Sequence, residues 1–263
     1  MKQFVSLGLV LLLLTGCSFN PLDQATKEQS NKTSEKIDAN NQDNAKKSEL
    51  ALSSKYFNHI KTVNGQKIIQ NPSNILALVN KSYSIGDYVP NDLVRPKVNF
   101  SFGDQNIEKS HLRKVAADAV EKMFAAAKKD GIILYVASGY RSYDRQKVLF
   151  DAEVQHDGSK AKAAQAVAIP GESEHQTGLA LDITSQTENF LLTEKMGDDP
   201  EGIWLAKNAH KFGFILRYPK GKENITKYEY EPWHFRYVGK EAATVIYKHN
   251  WTLEEYFQHV KKV

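Results

Sequence analysis

One cysteine in 263 residues, Cys17, stands between a short apolar run and a long polar stretch, ahead of everything in the chain that can build a core. The foldable part therefore has no internal disulfide to staple it and no thiolate for a metal site or a nucleophile. It must be held together by its own hydrophobic core. Any chemistry must come from histidines, carboxylates or hydroxyls. With 41% hydrophobic and 25% charged residues, the chain can fill one well-packed domain, and collagen-like, coiled-coil and multi-pass membrane classes are excluded. The net charge of +4 is spread along the chain without basic blocks, which argues against a nucleic-acid partner.

At the N-terminus, MKQFVSLGLVLLLLTGCSFN places Lys2 before an apolar run from Phe4 to Leu14. That is the length of a signal-peptide core and too short to cross a bilayer, so residues 1–16 are expected to direct export. Leu14-Thr15-Gly16-Cys17 resembles the bacterial lipobox, which implies a lipid on Cys17 and a place on the outer face of the cell membrane. Acyl chains contribute ~0.8 kcal/mol per buried CH₂, and two or more make anchoring stable. From Ser18 to about Leu50 the chain is rich in Asn, Gln, Ser, Lys and Glu and nearly free of aromatic residues. Such a stretch cannot bury enough surface to order itself, and it is expected to be a disordered tether with an end-to-end distance of roughly 30 Å. The lipidated residue and linker thus occupy 17–50, and a single domain occupies 51–263.

Within the domain, short extended stretches between Tyr56 and Phe102 include Lys67-Ile68-Ile69, Ile75 to Val79 and Tyr88-Val89-Pro90. Helical spacing of Leu112, Val115, Ala116, Ala119, Met123, Phe124 and Ala127 predicts a helix over 110–129, with Ser110 as N-cap and Asp130-Gly131 as stop. Ile132 to Val136 predicts a buried strand, and Tyr143 to Val154 a second helix. Further on, the pattern predicts a strand over 178–183, a helix over 204–212 stopped by Gly213, and extended chain over 214–218. Residues 228–238 are strand-like except at Pro232. Thr252-Leu253-Glu254-Glu255 has the capping-box pattern of a final short helix. Strands and helices mix without regular βαβ alternation, which predicts an α+β domain whose central sheet is mainly antiparallel and flanked by helices.

Of eight histidines, five (His59, His111, His156, His249 and His259) lie in polar or helical contexts without a partner pattern, and His210 sits near a helix C-terminus. These read as surface or structural residues. His175 and His234 differ, because each stands where the backbone leaves or breaks a strand. A catalytic zinc site takes three N or O ligands and keeps one position for water, and His175, Asp182 and His234 would supply that set. Residues seven apart in an unbroken strand face opposite sides, so Gly178 must turn the chain between His175 and Asp182.

The strings SGYRSYDRQ (138–146), PGESEHQTGLALDI (170–183), GFILRYPKGKENIT (213–226) and YEPWHFRYVG (230–239) resemble those of the VanY-type D-alanyl-D-alanine carboxypeptidases. They are particularly similar to the LdcB branch, which cuts muropeptides as an LD-carboxypeptidase. The resemblance runs from about Ile75 to the C-terminus. It implies a Hedgehog/DD-peptidase-like fold, zinc held by His175, Asp182 and His234, and Glu231 as the catalytic carboxylate. It also implies a cationic partner in Arg141, and Gln146, Ser173, Tyr218 and Trp233 as residues that hold the peptide. The implied substrate is a peptidoglycan stem peptide that loses its terminal D-alanine. The enzyme is expected to be a monomer. Whether the bond belongs to a tetrapeptide (LD) or a pentapeptide (DD) stays open. So do two other readings of the same residues, a wall-binding lipoprotein without turnover and a zinc endopeptidase.

Overall fold

The computed structural model describes residues 50–263. The export segment, Cys17 and the polar stretch up to residue 49 lie outside the described residues. In chain order the strands are β1 (Ala51–Leu52), β2 (Ile60–Val63), β3 (Gln66–Ile69), β4 (Leu93–Val94), β5 (Leu112–Arg113), β6 (Tyr135–Ser138), β7 (Ala180–Thr184), β8 (Phe214–Leu216), β9 (His234–Tyr237) and β10 (Lys261–Lys262). The α-helices are α1 (Lys114–Lys129), α2 (Tyr143–Asp157), α3 (Lys160–Ala166), α4 (Pro200–Asn208), α5 (Glu223–Thr226), α6 (Lys240–His249) and α7 (Leu253–His259).

The centre is a four-stranded sheet of order β6-β7-β9-β8 in which every neighbouring pair is antiparallel. Side chains alternate across it. Leu181 and Ile183 of β7, Phe235 of β9 and Phe214 of β8 are all buried in one core with Val120, Met123 and Ala127 of α1 and Leu205 of α4. Each of the larger side chains contributes about 1.5–3 kcal/mol when fully buried. The other face of the same strands presents Asp182, His234 and Arg236, since period-two alternation sends their neighbours to the core. The α+β class with a mainly antiparallel central sheet is therefore as expected.

A second apolar cluster joins Leu52, Val238, Val245 and Ile246 to Leu253 and Tyr256 of α7. The capping box at the start of α7 is formed, with Glu255 N–H donating to Thr252 Oγ1 at 3.1 Å and Thr252 N–H to Glu255 Oε2 at 2.8 Å. Strands β1 and β10 pair in parallel, bringing residue 51 beside residue 261.

Several elements differ in extent from expectation. Ser110 does not cap α1; it closes a 3₁₀ turn over Glu108–Ser110, where its Oγ donates to Ile107 O at 2.6 Å. The helix starts later because Leu112 and Arg113 are held extended as β5 against β4. The expected strand over 132–136 is displaced to Tyr135–Ser138, since Ile132 N–H still bonds back to Ala127 O at the end of α1. Ile75 to Val79 forms no regular strand, and Ala77 and Val79 instead fill a small cluster with Ile69 and Ile85. Residues 204–212 divide into α4, which opens on Pro200, and a 3₁₀ turn over Ala209–Phe212 that ends on Gly213 at φ +91°. The strand-like stretch 228–238 is strand only over β9. Pro232 has no N–H to give a ladder, and Glu231-Pro232-Trp233 turns so that His234 N–H bonds Glu231 O at 3.1 Å.

Candidate active site

The site is assembled from the polar face of the sheet. In the β7–β9 register Asp182 stands opposite His234, so two of the predicted ligands meet by ladder geometry alone. The third comes from a 3₁₀ turn over Glu174–Thr177 that ends on Gly178 in the left-handed region at φ +66°. That turn reverses the chain and brings His175 back over β7, which answers the parity problem posed by the seven-residue spacing. His175 Nδ1 lies 2.7 Å from the carbonyl of Gly139. A carbonyl can only accept, so Nδ1 carries the proton and Nε2 presents its lone pair, 3.3 Å from Asp182 Oδ2. His234 Nδ1 lies 2.9 Å from Asp182 Oδ1.

One ligand atom from each of His175, Asp182 and His234 falls within 4.8 Å of the others, and all three residues are buried. Two imidazole nitrogens and a carboxylate oxygen converging in this way fit a zinc ion, with room for a further ligand on the cavity side. Glu153, His156 and Asp157 of α2 also cluster, but His156 is exposed and such acidic groups are common without an ion.

The ligands line a cavity of about 340 Å³ together with Arg141, Ser173, Tyr218, Glu231 and Trp233. Every predicted site residue of the domain except Gln146 faces it. Gln146 is fully buried behind the wall. Its Oε1 accepts from Arg141 Nη1 at 2.9 Å, and its Nε2 donates to Ala168 O at 2.7 Å, so it reaches the cavity through Arg141. Tyr218 stacks on the His234 ring with centroids 4.9 Å apart. Glu231 Oε2 lies 3.9 Å from His234 Nδ1.

Electrostatics divides the carboxylates. Burial pushes Glu231 up to about 7, with Asp182 and Glu174 adding to the rise and His234 and Arg141 opposing it. A carboxylate poised there can both take and give a proton near neutral pH. Asp182 is also penalised by burial, but His175 and His234 outweigh that and hold it well below the ordinary carboxylate range. Burial works against the charged imidazole of His234, yet its contacts with Asp182 and Glu174 carry it up to about 9.

Four charged residues around the ligands were not anticipated. Glu174, Arg217 and Arg236 are buried, and Arg217 makes a paired contact with Glu254 of α7. Arg236 was detectable in principle, because the spacing in His234-Phe235-Arg236 puts it on the ligand face of β9. Glu174 and Glu254 carried no such signal, since their roles depend on long-range packing. Of the other histidines, His210 stacks on Tyr247 with centroids 3.7 Å apart, and His249 and His259 flank Trp251.

The family model for D-alanyl-D-alanine carboxypeptidase (VanY) matches residues 109–240, a span that includes all three candidate ligands and Glu231. The protein YodJ of Bacillus subtilis (strain 168) is 54% identical over 263 residues, covering 98% of this chain and 96% of its own. The solved structure of the LdcB LD-carboxypeptidase is similar with a TM-score of 0.79 and 60% identity, over 81% of this chain and all of that one. A vancomycin-resistance D,D-pentapeptidase VanY variant solved with Zn(II) is similar with a TM-score of 0.55 and 37% identity, over 69% of this chain and 98% of that one.

Proposed function

Because the chain belongs to the VanY family of D-alanyl-D-alanine carboxypeptidases, we propose that it removes the C-terminal D-alanine from peptidoglycan stem peptides, with the tetrapeptide as preferred substrate. It is a zinc-dependent carboxypeptidase acting on peptidoglycan peptides. The observation that carries this reading is the convergence of His175, Asp182 and His234 in a cavity that also holds Glu231 and Arg141.

When bound, zinc supplies Lewis acidity and brings the pKa of a coordinated water close to 7. Glu231 stands beside the ligands and takes the proton of the attacking water, then returns it to the departing amine. Arg141 offers a guanidinium on the same wall, suited to pairing with a terminal carboxylate or with the oxygen that gains charge. Gln146 fixes the aim of that guanidinium. The small cavity admits the end of a peptide, and Tyr218, Tyr228 and Trp233 give its wall aromatic surface for the peptide to lie against.

The LD preference is supported by 60% identity with the LdcB LD-carboxypeptidase against 37% with the D,D-pentapeptidase. All candidate ligands, the base and the cation come from one chain, so the site needs no second copy of it. Leu14-Thr15-Gly16-Cys17 supports attachment by a lipid on Cys17, with the domain of residues 51–263 on the outer face of the bacterial cell membrane. The test is mass spectrometry of purified tetrapeptide and pentapeptide muropeptides incubated with the protein, with and without a chelator. Zinc-dependent loss of one alanine, faster from the tetrapeptide, is expected. Faster loss from the pentapeptide would reverse the preference, and release of fragments larger than alanine would make the enzyme an endopeptidase.

A further inference from the structure

The His234 ring has two nitrogens, and only one can serve the metal. Nδ1 faces Asp182 and Glu231, whereas Nε2 is buried and faces Glu174, with Oε2 3.6 Å from it. Both His234 Nε2 and Glu174 Oε2 are buried without another hydrogen-bond partner. A donor and an acceptor left facing one another in a dry interior are satisfied only by each other.

The other half of Glu174 is fully engaged. Its Oε1 accepts from Arg217 Nε at 2.8 Å and from Arg236 Nη1 at 2.9 Å. Each arginine is fixed in turn. Arg217 holds Glu254 through both terminal nitrogens, at 2.8 and 2.7 Å. Arg236 Nη2 donates to the carbonyls of Ile75 and Ala77. Two carboxylates and two guanidiniums balance in charge, and the brace leaves Glu174 Oε2 as the one atom turned toward the histidine. Such a cluster is a poor device for stability alone, because apolar replacements of buried ion groups are often neutral or better.

Resting on the zinc reading above, we infer that Glu174 is a positioning residue of the metal centre: its Oε2 accepts the Nε2–H of His234 and thereby commits Nδ1 as the ligand atom, while Arg217 and Arg236 hold the carboxylate in place. The two ligand histidines then use opposite nitrogens. His175 is oriented through Nδ1 by a backbone carbonyl and His234 through Nε2 by a braced carboxylate. An acceptor of this kind also makes the imidazole a stronger ligand.

The experiment is long-range ¹H–¹⁵N correlation of the imidazole rings in the ¹⁵N-histidine-labelled protein, titrated with zinc. The expected zinc-loaded state has His234 protonated at Nε2 and metal-bound at Nδ1, and His175 the reverse. His234 protonated at Nδ1 and bound through Nε2 would overturn the assignment while leaving the zinc centre standing. No response of either ring to zinc would remove both. In parallel, Glu174→Gln should raise the zinc dissociation constant about 10- to 100-fold, measured by competition with a chromogenic chelator. A folded variant with an unchanged constant overturns the proposal, and if the variant does not fold, the ring tautomers of the unsubstituted protein decide it.

Discussion

Asp182 and His234 are direct register partners across β7 and β9, and their side chains meet at 2.9 Å on the polar face of the sheet. Two of the candidate metal ligands thus inherit their spacing from backbone hydrogen bonds. A ladder position is far more rigid than a loop, which suits a site whose ligands must converge on one point.

Glu231→Gln keeps the shape of the side chain and removes its ability to accept a proton. The turnover number should fall about 10²- to 10⁴-fold, with zinc stoichiometry unchanged by metal analysis. Turnover within a few-fold of the parent would exclude Glu231 as the base.

Gln146→Ala should lower kcat/KM up to about 10²-fold, although Gln146 does not face the cavity. The effect arises because the Arg141 guanidinium loses its fixed partner. Steady-state kinetics on the tetrapeptide reads it directly, and an unchanged value would show that Arg141 holds its position unaided.

Acid sensitivity should pass through Glu254. Burial raises its pKa, but the Arg217 guanidinium and its hydrogen bonds outweigh that and leave it below the ordinary 4.5. A carboxylate depressed on folding contributes stability that is fully present above its unfolded value and lost as pH falls through the folded one. The thermal midpoint should therefore be insensitive to this group from pH 8 down to about 5 and decline below that. Glu254→Gln should cost about 3 kcal/mol at pH 7 and flatten the acid decline, as followed by circular dichroism melts.

Gly178→Ala places a Cβ at 2.9 Å from Leu93 Cδ2 and 3.0 Å from Arg113 Cγ, at a φ of +66°. The strain should destabilise the fold by about 1–3 kcal/mol and weaken zinc binding as well, because His175 moves with the turn. Denaturant melts with and without zinc would separate the two effects. A loss confined to the zinc-free protein would argue against the link.

The legible part of this protein was what local pattern and motif can carry. Leu181 and Ile183 announced a core strand, and the motifs named His175, Asp182, His234 and Glu231, which the fold brings to one cavity. Gly178 had to turn the chain, and it does. Lys227 caps α5 at φ +65°, where a glycine would sit without strain. The illegible part was long-range. Nothing local reveals that Glu174 meets Arg217 43 residues away and Arg236 62 residues away. Nor does anything local show that Gln146 turns inward to Arg141, since burial of a polar side chain is decided by the partners tertiary packing brings to it.

The parallel pairing of β1 with β10 gives the domain a topological freedom. Ser54 N–H bonds Val263 O at 2.9 Å, so the two ends of the folded chain are neighbours. A short glycine-rich bridge could join residue 263 to residue 50, and the polypeptide could be reopened at an exposed tip such as Gly65, where an added Cβ meets nothing. A circularly permuted enzyme cut there should keep its metal centre, and a reporter fused after Val263 would mark the point where the chain enters the domain.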